Sequence, residues 1–285
     1  MIRYSIITFI ILFAGFNIYL RVGHKEFSTP QYQYQGNVMG AQKYIYGAKL
    51  PESVMIGTSL SAVMPMDSLQ EIYKLSMPGL SMMDGMEILK RRSDYPKRVF
   101  IEINFFLKPE TASFQALFSS SLNNKIKVEL PAMKEENQPV SILMDRLRSR
   151  HKPVAVAPVE NDTVARDVFE SLLEEQFKAY TVSIDSNQLN NSLKKMEEDV
   201  TFLVSQGSEV CFFEMPVDSS LERLPRTHAI RSAITNRFKG RPHIYYIPVP
   251  EGTFRTKDGI HLIEKEAWRF ASYFKKEADS IQWQQ

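Results

Sequence analysis

Residues 98–106 read Arg98-Val99-Phe100-Ile101-Glu102-Ile103-Asn104-Phe105-Phe106, an almost unbroken apolar run. A strand with one wet face alternates apolar and polar side chains, so a run without alternation belongs at the centre of a parallel sheet covered on both faces. Outward from it, short apolar runs alternate with longer helical patterns. Upstream come strand patterns at 53–56 and 72–76 and a helical pattern over 81–92. There Met82, Met83, Met86, Ile88 and Leu89 make a core stripe, and Arg91 and Arg92 stand where the helix dipole favours cations. Downstream come a helix over 188–205, a strand over 209–215 closed by Pro216, a helix over about 219–237, a strand at 243–248 and a last amphipathic helix over about 263–278. Such alternation implies parallel strands joined by crossover helices, an α/β fold of three layers with a mainly parallel sheet of about five strands. The rhythm breaks between about 107 and 185, where polar and helical pieces such as 123–127 and 133–137 read as a mainly helical insertion at the sheet's rim rather than a separate domain.

The amino terminus is the one strongly biased segment. Tyr4 through Leu20 carries no charge, and Asn17 is its one strongly polar group. That stretch is at the short end of what spans a hydrocarbon core about 30 Å thick, and residues 1–22 read as a membrane anchor. A cleaved secretory signal is the competing reading, but it needs a small-x-small site where Phe16, Tyr19 and Leu20 are bulky. A buried helix of a soluble protein is the third. Arg3 on one flank and Arg21 and Lys25 on the other leave the orientation undecided by charge. Residues 23–50 are polar and aromatic without a clear period and suit a spacer leading to a domain over 51–285. With 35 basic and 33 acidic residues the net charge is +2, which gives no field to draw in a phosphate backbone, so nucleic acid is not an expected partner. The single cysteine, Cys211, excludes an intramolecular disulfide and sits in Val210-Cys211-Phe212-Phe213 as a packed thiol.

Two stretches carry candidate chemistry. Val54-Met55-Ile56-Gly57-Thr58-Ser59 is an apolar strand that ends in a hydroxyl, and open α/β sheets bind ligands beyond the carboxyl ends of their strands. Ser59 is therefore a nucleophile candidate, although Gly-Thr-Ser also suits an ordinary turn. It is not the G-x-S-x-G elbow, because Ser61 stands where the last glycine would be. The second stretch, Lys257-Asp258-Gly259-Ile260-His261, lies between the last strand and the last helix. A serine needs a neutral imidazole to take its proton, and the imidazole needs a carboxylate to fix its tautomer. Asp258 and His261 can supply both, while a helix cap is the plainer use of Asp258. Glu214, at a strand end, either lines a site or faces solvent. His24, His151, His228 and His243 lack metal-spaced partners.

Taken together, Ser59 after the first strand and D-x-x-H before the last helix resemble the SGNH (GDSL-like) hydrolases, whose sheet is flavodoxin-like. In that family a glycine after the second strand and an asparagine after the third complete an oxyanion hole. Gly79 and Asn104 stand in those places, joined by the backbone N–H of Ser59. Thr58 replaces the aspartate of G-D-S, and Glu102 and Phe105 replace the glycine and the aspartate of G-x-N-D. The resemblance covers about 51–120 and 185–278. It implies acyl-ester chemistry without a cofactor, with Ser59 attacking, His261 relaying the proton and Asp258 orienting His261. With the apolar amino terminus, it points to exported O-acyltransferase or esterase members that modify cell-surface polysaccharide. Their substrate is an acylated glycan or acyl donor, and a membrane acyltransferase is an implied partner. Hydrolysis and transfer share the first step and stay open. The alternative is a membrane-tethered binding or assembly protein that keeps the fold without turnover.

Overall fold

The structure, a computed structural model, describes residues 2–22, 30, 32–65, 67, 69–149 and 164–283. Its five strands are β1 (Ser53–Gly57), β2 (Ile72–Ser76), β3 (Arg98–Glu102), β4 (Glu209–Phe213) and β5 (Ile244–Ile247). They pair in the order β2-β1-β3-β4-β5, and every pairing is parallel. The apolar run at 98–106 is indeed central, with β1 on one side and β4 on the other. Its strand ends earlier than the run does. Ile103 still donates to the Phe213 carbonyl (3.0 Å), but the Asn104 side chain then takes both backbone groups of Met215, and the chain turns away.

Side chains alternate across the strands, so β1, β3 and β4 feed two layers. One face carries Met55, Phe100, Cys211 and Phe213 against α12 (Glu264–Ser280), with Phe274 in edge contact with Phe100 and Phe213 at 5.2 and 4.9 Å between ring centres. The other carries Ile56 against Gly85 of α4 (Met82–Leu89) and Phe212 against Phe238 of α11 (Pro225–Phe238), with α9 (Ser186–Ser205) packed on β4. The stretch expected as one helix over about 219–237 is two, α10 (Ser219–Glu222) and α11. Pro225 cannot continue a helix and forces Leu224 before it into extended backbone.

The chain forms two compact units. The sheet unit comprises residues 49–111 and 159–285, and a second unit comprises 1–48 and 112–158. This corrects two expectations. Residues 23–50 are not only a spacer, since they contain α2 (Gln33–Tyr46); and the insertion divides, because 112–158 joins the amino-terminal unit while α8 (Arg166–Thr181) belongs to the sheet unit. The second unit is helical among its described residues: α1 (Ile2–Val22), α2, α5 (Ala112–Ala116), α6 (Ser121–Glu129), α7 (Pro139–Ser149) and two 3₁₀ turns, Pro131–Met133 and Glu135–Asn137. Much of its interior is polar. Gln35 donates to Ser141 (3.1 Å), Gln42 accepts from the Glu135 N–H (2.8 Å), and the Tyr46 hydroxyl donates to Asn124 (2.8 Å).

Helix α1 is long and apolar enough to cross a membrane. Its residues 2–12 are exposed, but Asn17 and Leu20 are buried, and Asn17 accepts the Ala132 N–H at 3.1 Å. The helix is therefore packed at its carboxyl end rather than free of the folded chain.

Candidate active site

β1 ends at Gly57, and the chain passes at once into the short helix α3 (Ser59–Ala62). Thr58 caps it by accepting the Leu60 N–H at 3.2 Å. The rest of the loop is organised by Glu102, the fully buried last residue of β3. Its carboxylate accepts the N–H groups of Thr58 (2.8 Å) and Ser61 (3.0 Å) and the hydroxyls of Thr58 (2.8 Å) and Ser61 (2.6 Å). A carboxylate so buried would be costly without such partners. Gly57 makes the approach possible, since a Cβ there would collide with Ser61 Oγ and Glu102 Oε2. At the other end of α3, the Lys74 ammonium donates to the carbonyls of Ala62 (2.7 Å) and Met64 (3.1 Å). Ser59 is thus held between an acid at the start of its helix and a base at the end, the polarity a helix dipole favours.

The second stretch is a tight loop. The Lys257 N–H bonds the His261 carbonyl (2.7 Å), and Thr256 and Leu262 form a bridge. Gly259 sits at φ +94°, where a side chain would be strained, and a Cβ there would stand 2.7 Å from Cδ1 of Leu173 on α8. Asp258 does two things at once. Its Oδ1 accepts the N–H groups of Ile260 (3.1 Å) and His261 (2.8 Å), which caps the turn, while Oδ2 lies 2.6 Å from His261 Nδ1. Burial pushes the Asp258 carboxyl up, but the His261 ring and the two backbone N–H groups outweigh it and hold the carboxyl below its ordinary value. His261 Nε2 lies 2.8 Å from Ser59 Oγ, across 202 residues of chain. The three groups form one line from carboxylate through imidazole to hydroxyl, and they remain partly open to solvent.

Gly79 and Asn104 follow β2 and β3, the two neighbours of β1, so they stand at strand ends on either side of Ser59. The chain leaves β1 for β2 on one side and returns to β3 on the other, which makes this the sheet's topological switch point, where open α/β sheets take ligands. Gly79 adopts φ +79° and is exposed, with its carbonyl taken by Lys108 (2.7 Å). Asn104 Oδ1 accepts the Met215 N–H (2.7 Å) and Nδ2 donates to the Met215 carbonyl (2.8 Å). Its orientation is fixed, and the second Nδ2 proton is left for another acceptor.

The other candidates stand apart from the Ser59–His261–Asp258 line. Glu214 is paired twice with Arg231 (2.6 and 3.0 Å), Cys211 is a fully buried thiol whose ionisation burial suppresses, and His243 Nδ1 lies 3.7 Å from Glu209. His228 is exposed on α11, while His24 and His151 lie outside the described residues. Among the described residues no group of three metal-ligating side chains converges. Sequence reasoning noted Glu102 only as a departure from a family block. The signal that would have found its role is an acid inside an otherwise apolar central strand, which has to meet donors there. Compared with known families and with curated proteins, the chain matches none.

Proposed function

We propose that the sheet unit performs serine-dependent acyl-ester chemistry of the SGNH (GDSL-like) type, as an O-acyltransferase or esterase acting on a cell-surface glycan from the outer side of a membrane. The observation that carries this reading is the line from Ser59 Oγ to His261 Nε2 (2.8 Å) and from His261 Nδ1 to Asp258 (2.6 Å). Ser59 Oγ attacks the ester carbonyl while Nε2 takes its proton, and Asp258 keeps the acceptor nitrogen facing the serine. The negative charge on the former carbonyl oxygen falls to the N–H groups of Ser59 and Gly79 and the spare Asn104 amide proton. The C–O bond then breaks, and the alcohol leaves with the proton from Nε2. The acyl group remains on Ser59 until water or a sugar hydroxyl repeats the sequence in reverse. Placement at a glycan outside the cell rests on α1 and on the resemblance to exported members.

The test is labelling of the full chain in detergent with a serine-directed fluorophosphonate, followed by mapping of the adduct. Label on Ser59 that is lost in His261→Ala is the expected result, with a Ser59→Ala protein that folds but turns over no ester. A protein that stays unlabelled and cleaves no aryl ester is a tethered binding protein instead.

A further inference from the structure

The uncharged stretch of α1, Tyr4 through Leu20, rises about 1.5 Å per residue, which is short for a hydrocarbon core about 30 Å thick, so a spanning helix uses all of it. Only residues 2–12 are exposed without a break, and they reach about half of that thickness. Beyond them Phe13 and Phe16 are half-buried and Asn17 and Leu20 are buried, the spacing of one helix face, while Ile18, Tyr19 and Val22 stay exposed. There α1 packs on the 3₁₀ turn Pro131–Met133, and Ala132 donates its N–H to Asn17. Asn17 precedes Leu20 by one turn, about 5 Å along the axis. A helix that crosses the bilayer therefore carries this turn below the surface with it.

The turn suits that place. Leu130-Pro131-Ala132-Met133 is an uncharged tip between Glu129 and Lys134. Hydrocarbon offers no partner to a backbone group, so irregular backbone enters it only where the protein itself meets the donors. Here each is met. Leu130 donates to the Ile126 carbonyl (2.7 Å), Ala132 to Asn17 (3.1 Å), Met133 to the Leu130 carbonyl (2.9 Å) and Lys134 to the Pro131 carbonyl (3.0 Å), while Pro131 has no N–H. Asn17, the one strongly polar side chain of the stretch, also donates to the Phe13 carbonyl (2.9 Å). Met133 is apolar and exposed. One turn further along α1, Arg21 bonds the Glu129 carbonyl and pairs with its carboxylate (3.6 Å), which puts charge at the level of the headgroups. The long stem of Lys134 lets its ammonium reach the same level.

We infer that the Pro131–Met133 turn is a membrane-contact surface, seated in a phospholipid bilayer beside α1 with Met133 against the acyl chains. The inference rests on α1 as a spanning helix, and it adds that the helical unit is set into the surface at a defined depth rather than hung from a tether. A tip this small does not hold the chain without α1; it fixes how the unit sits.

The test places a nitrobenzoxadiazole label on Met133→Cys or Ile10→Cys in the full chain, reconstituted in phosphatidylcholine vesicles. Cys211 is fully buried, and the unsubstituted chain serves as the labelling blank. Emission is read with doxyl lipids, spin-labelled near the headgroup or near the chain end, and with iodide on both sides of the vesicle. Circular dichroism checks that each variant folds, and Leu130→Cys gives a second position in the tip. At position 133 the shallow doxyl lipid should quench more than the deep one, at position 10 the deep one more than the shallow, and iodide should quench neither. A label at 10 quenched by lipid beside labels at 133 and 130 quenched by iodide alone would overturn the seated turn and leave the spanning helix. A label at 133 shielded from both quenchers would also overturn it, and would assign the tip to a second copy of the chain. Quenching by iodide at position 10 sinks the spanning helix and the seated turn together.

Discussion

Thr58 and Glu102 are two of the positions where this chain departs from the family blocks it resembles, and they bond to each other at 2.8 Å. The carboxylate that organises this loop comes from the end of β3. The bond couples the two positions, and an exchange of both can be tested as a cycle. Thr58→Asp alone would set a second carboxylate against Glu102, and Glu102→Gly alone would leave the Thr58 and Ser61 N–H groups unbonded, at about 1–3 kcal/mol for a buried group. Both should lower the melting temperature and kcat. The double variant should recover part of each loss, and a double that is only the sum of its parts would show that the two sites are independent. Asp258 gives a second residue-level prediction, about acid. Its carboxyl titrates below the ordinary value near 3.8 once folded, so its contribution to stability is present above that value and is lost as pH falls through the folded one. As pH falls from above 3.8 through the lowered folded value, the native protein should lose stability more steeply than Asp258→Asn, which has no proton to gain there. Parallel acid-unfolding curves for the two proteins would refute the pairing.

At the scale of elements, α8 seats the loop that carries Asp258 and His261, because Leu173 occupies the space that a Cβ on Gly259 would need. Gly259→Ala meets both this contact and the strain of a positive φ, and should cost about 1–3 kcal/mol and lower kcat through a displaced His261. Adding Leu173→Ala should relieve the contact but not the backbone strain, so recovery should be partial; a Gly259→Ala protein with native melting and turnover would mean that the loop is not held there. The elements that could be read in the sequence are those whose buried faces are apolar. β1 to β5, the Met82–Leu89 stripe and α12 announce themselves by period, and with them the strand ends followed by Ser59, Gly79 and Asn104 and the loop before α12 that carries Asp258 and His261. Helix α2 does not, because Gln35, Val38, Met39, Gln42 and Tyr46 follow helical spacing with polar members among them. Helix α7 inverts the usual pattern, with Ser141 buried while Val140, Leu143 and Leu147 are exposed. The roles of Glu102 and Lys74 were hidden for another reason: each acts on a loop about 10 to 40 residues away in the chain, and only the pairing of β1 with β2 and β3 brings them to it.

The whole molecule is two units through which the chain passes alternately, helical unit to sheet unit to helical unit to sheet unit. Its apolar amino terminus therefore cannot be treated as a tether that is cut anywhere before residue 50. Residues 2–12 of α1 are exposed and make no case for a structural role, whereas Asn17 and Leu20 are buried, and Ala132 depends on Asn17 for its N–H. Arg21 adds a hydrogen bond to the Glu129 carbonyl and an ion pair to its carboxylate (3.6 Å), but both groups are exposed and add little. Two truncations should accordingly behave differently. Deletion of 2–16 should release the chain from membranes and leave its unfolding curve close to that of the full chain in detergent. Deletion of 2–22 removes a buried leucine and leaves the Ala132 N–H unpaired, which together should destabilise the helical unit by on the order of 2–4 kcal/mol. Urea unfolding followed by circular dichroism separates the two, with an earlier helical transition expected in the longer deletion alone. Coincident curves would mean that α1 is an anchor and nothing more, and a chain lacking 2–16 that still pellets with membranes would move the attachment to another part of the molecule.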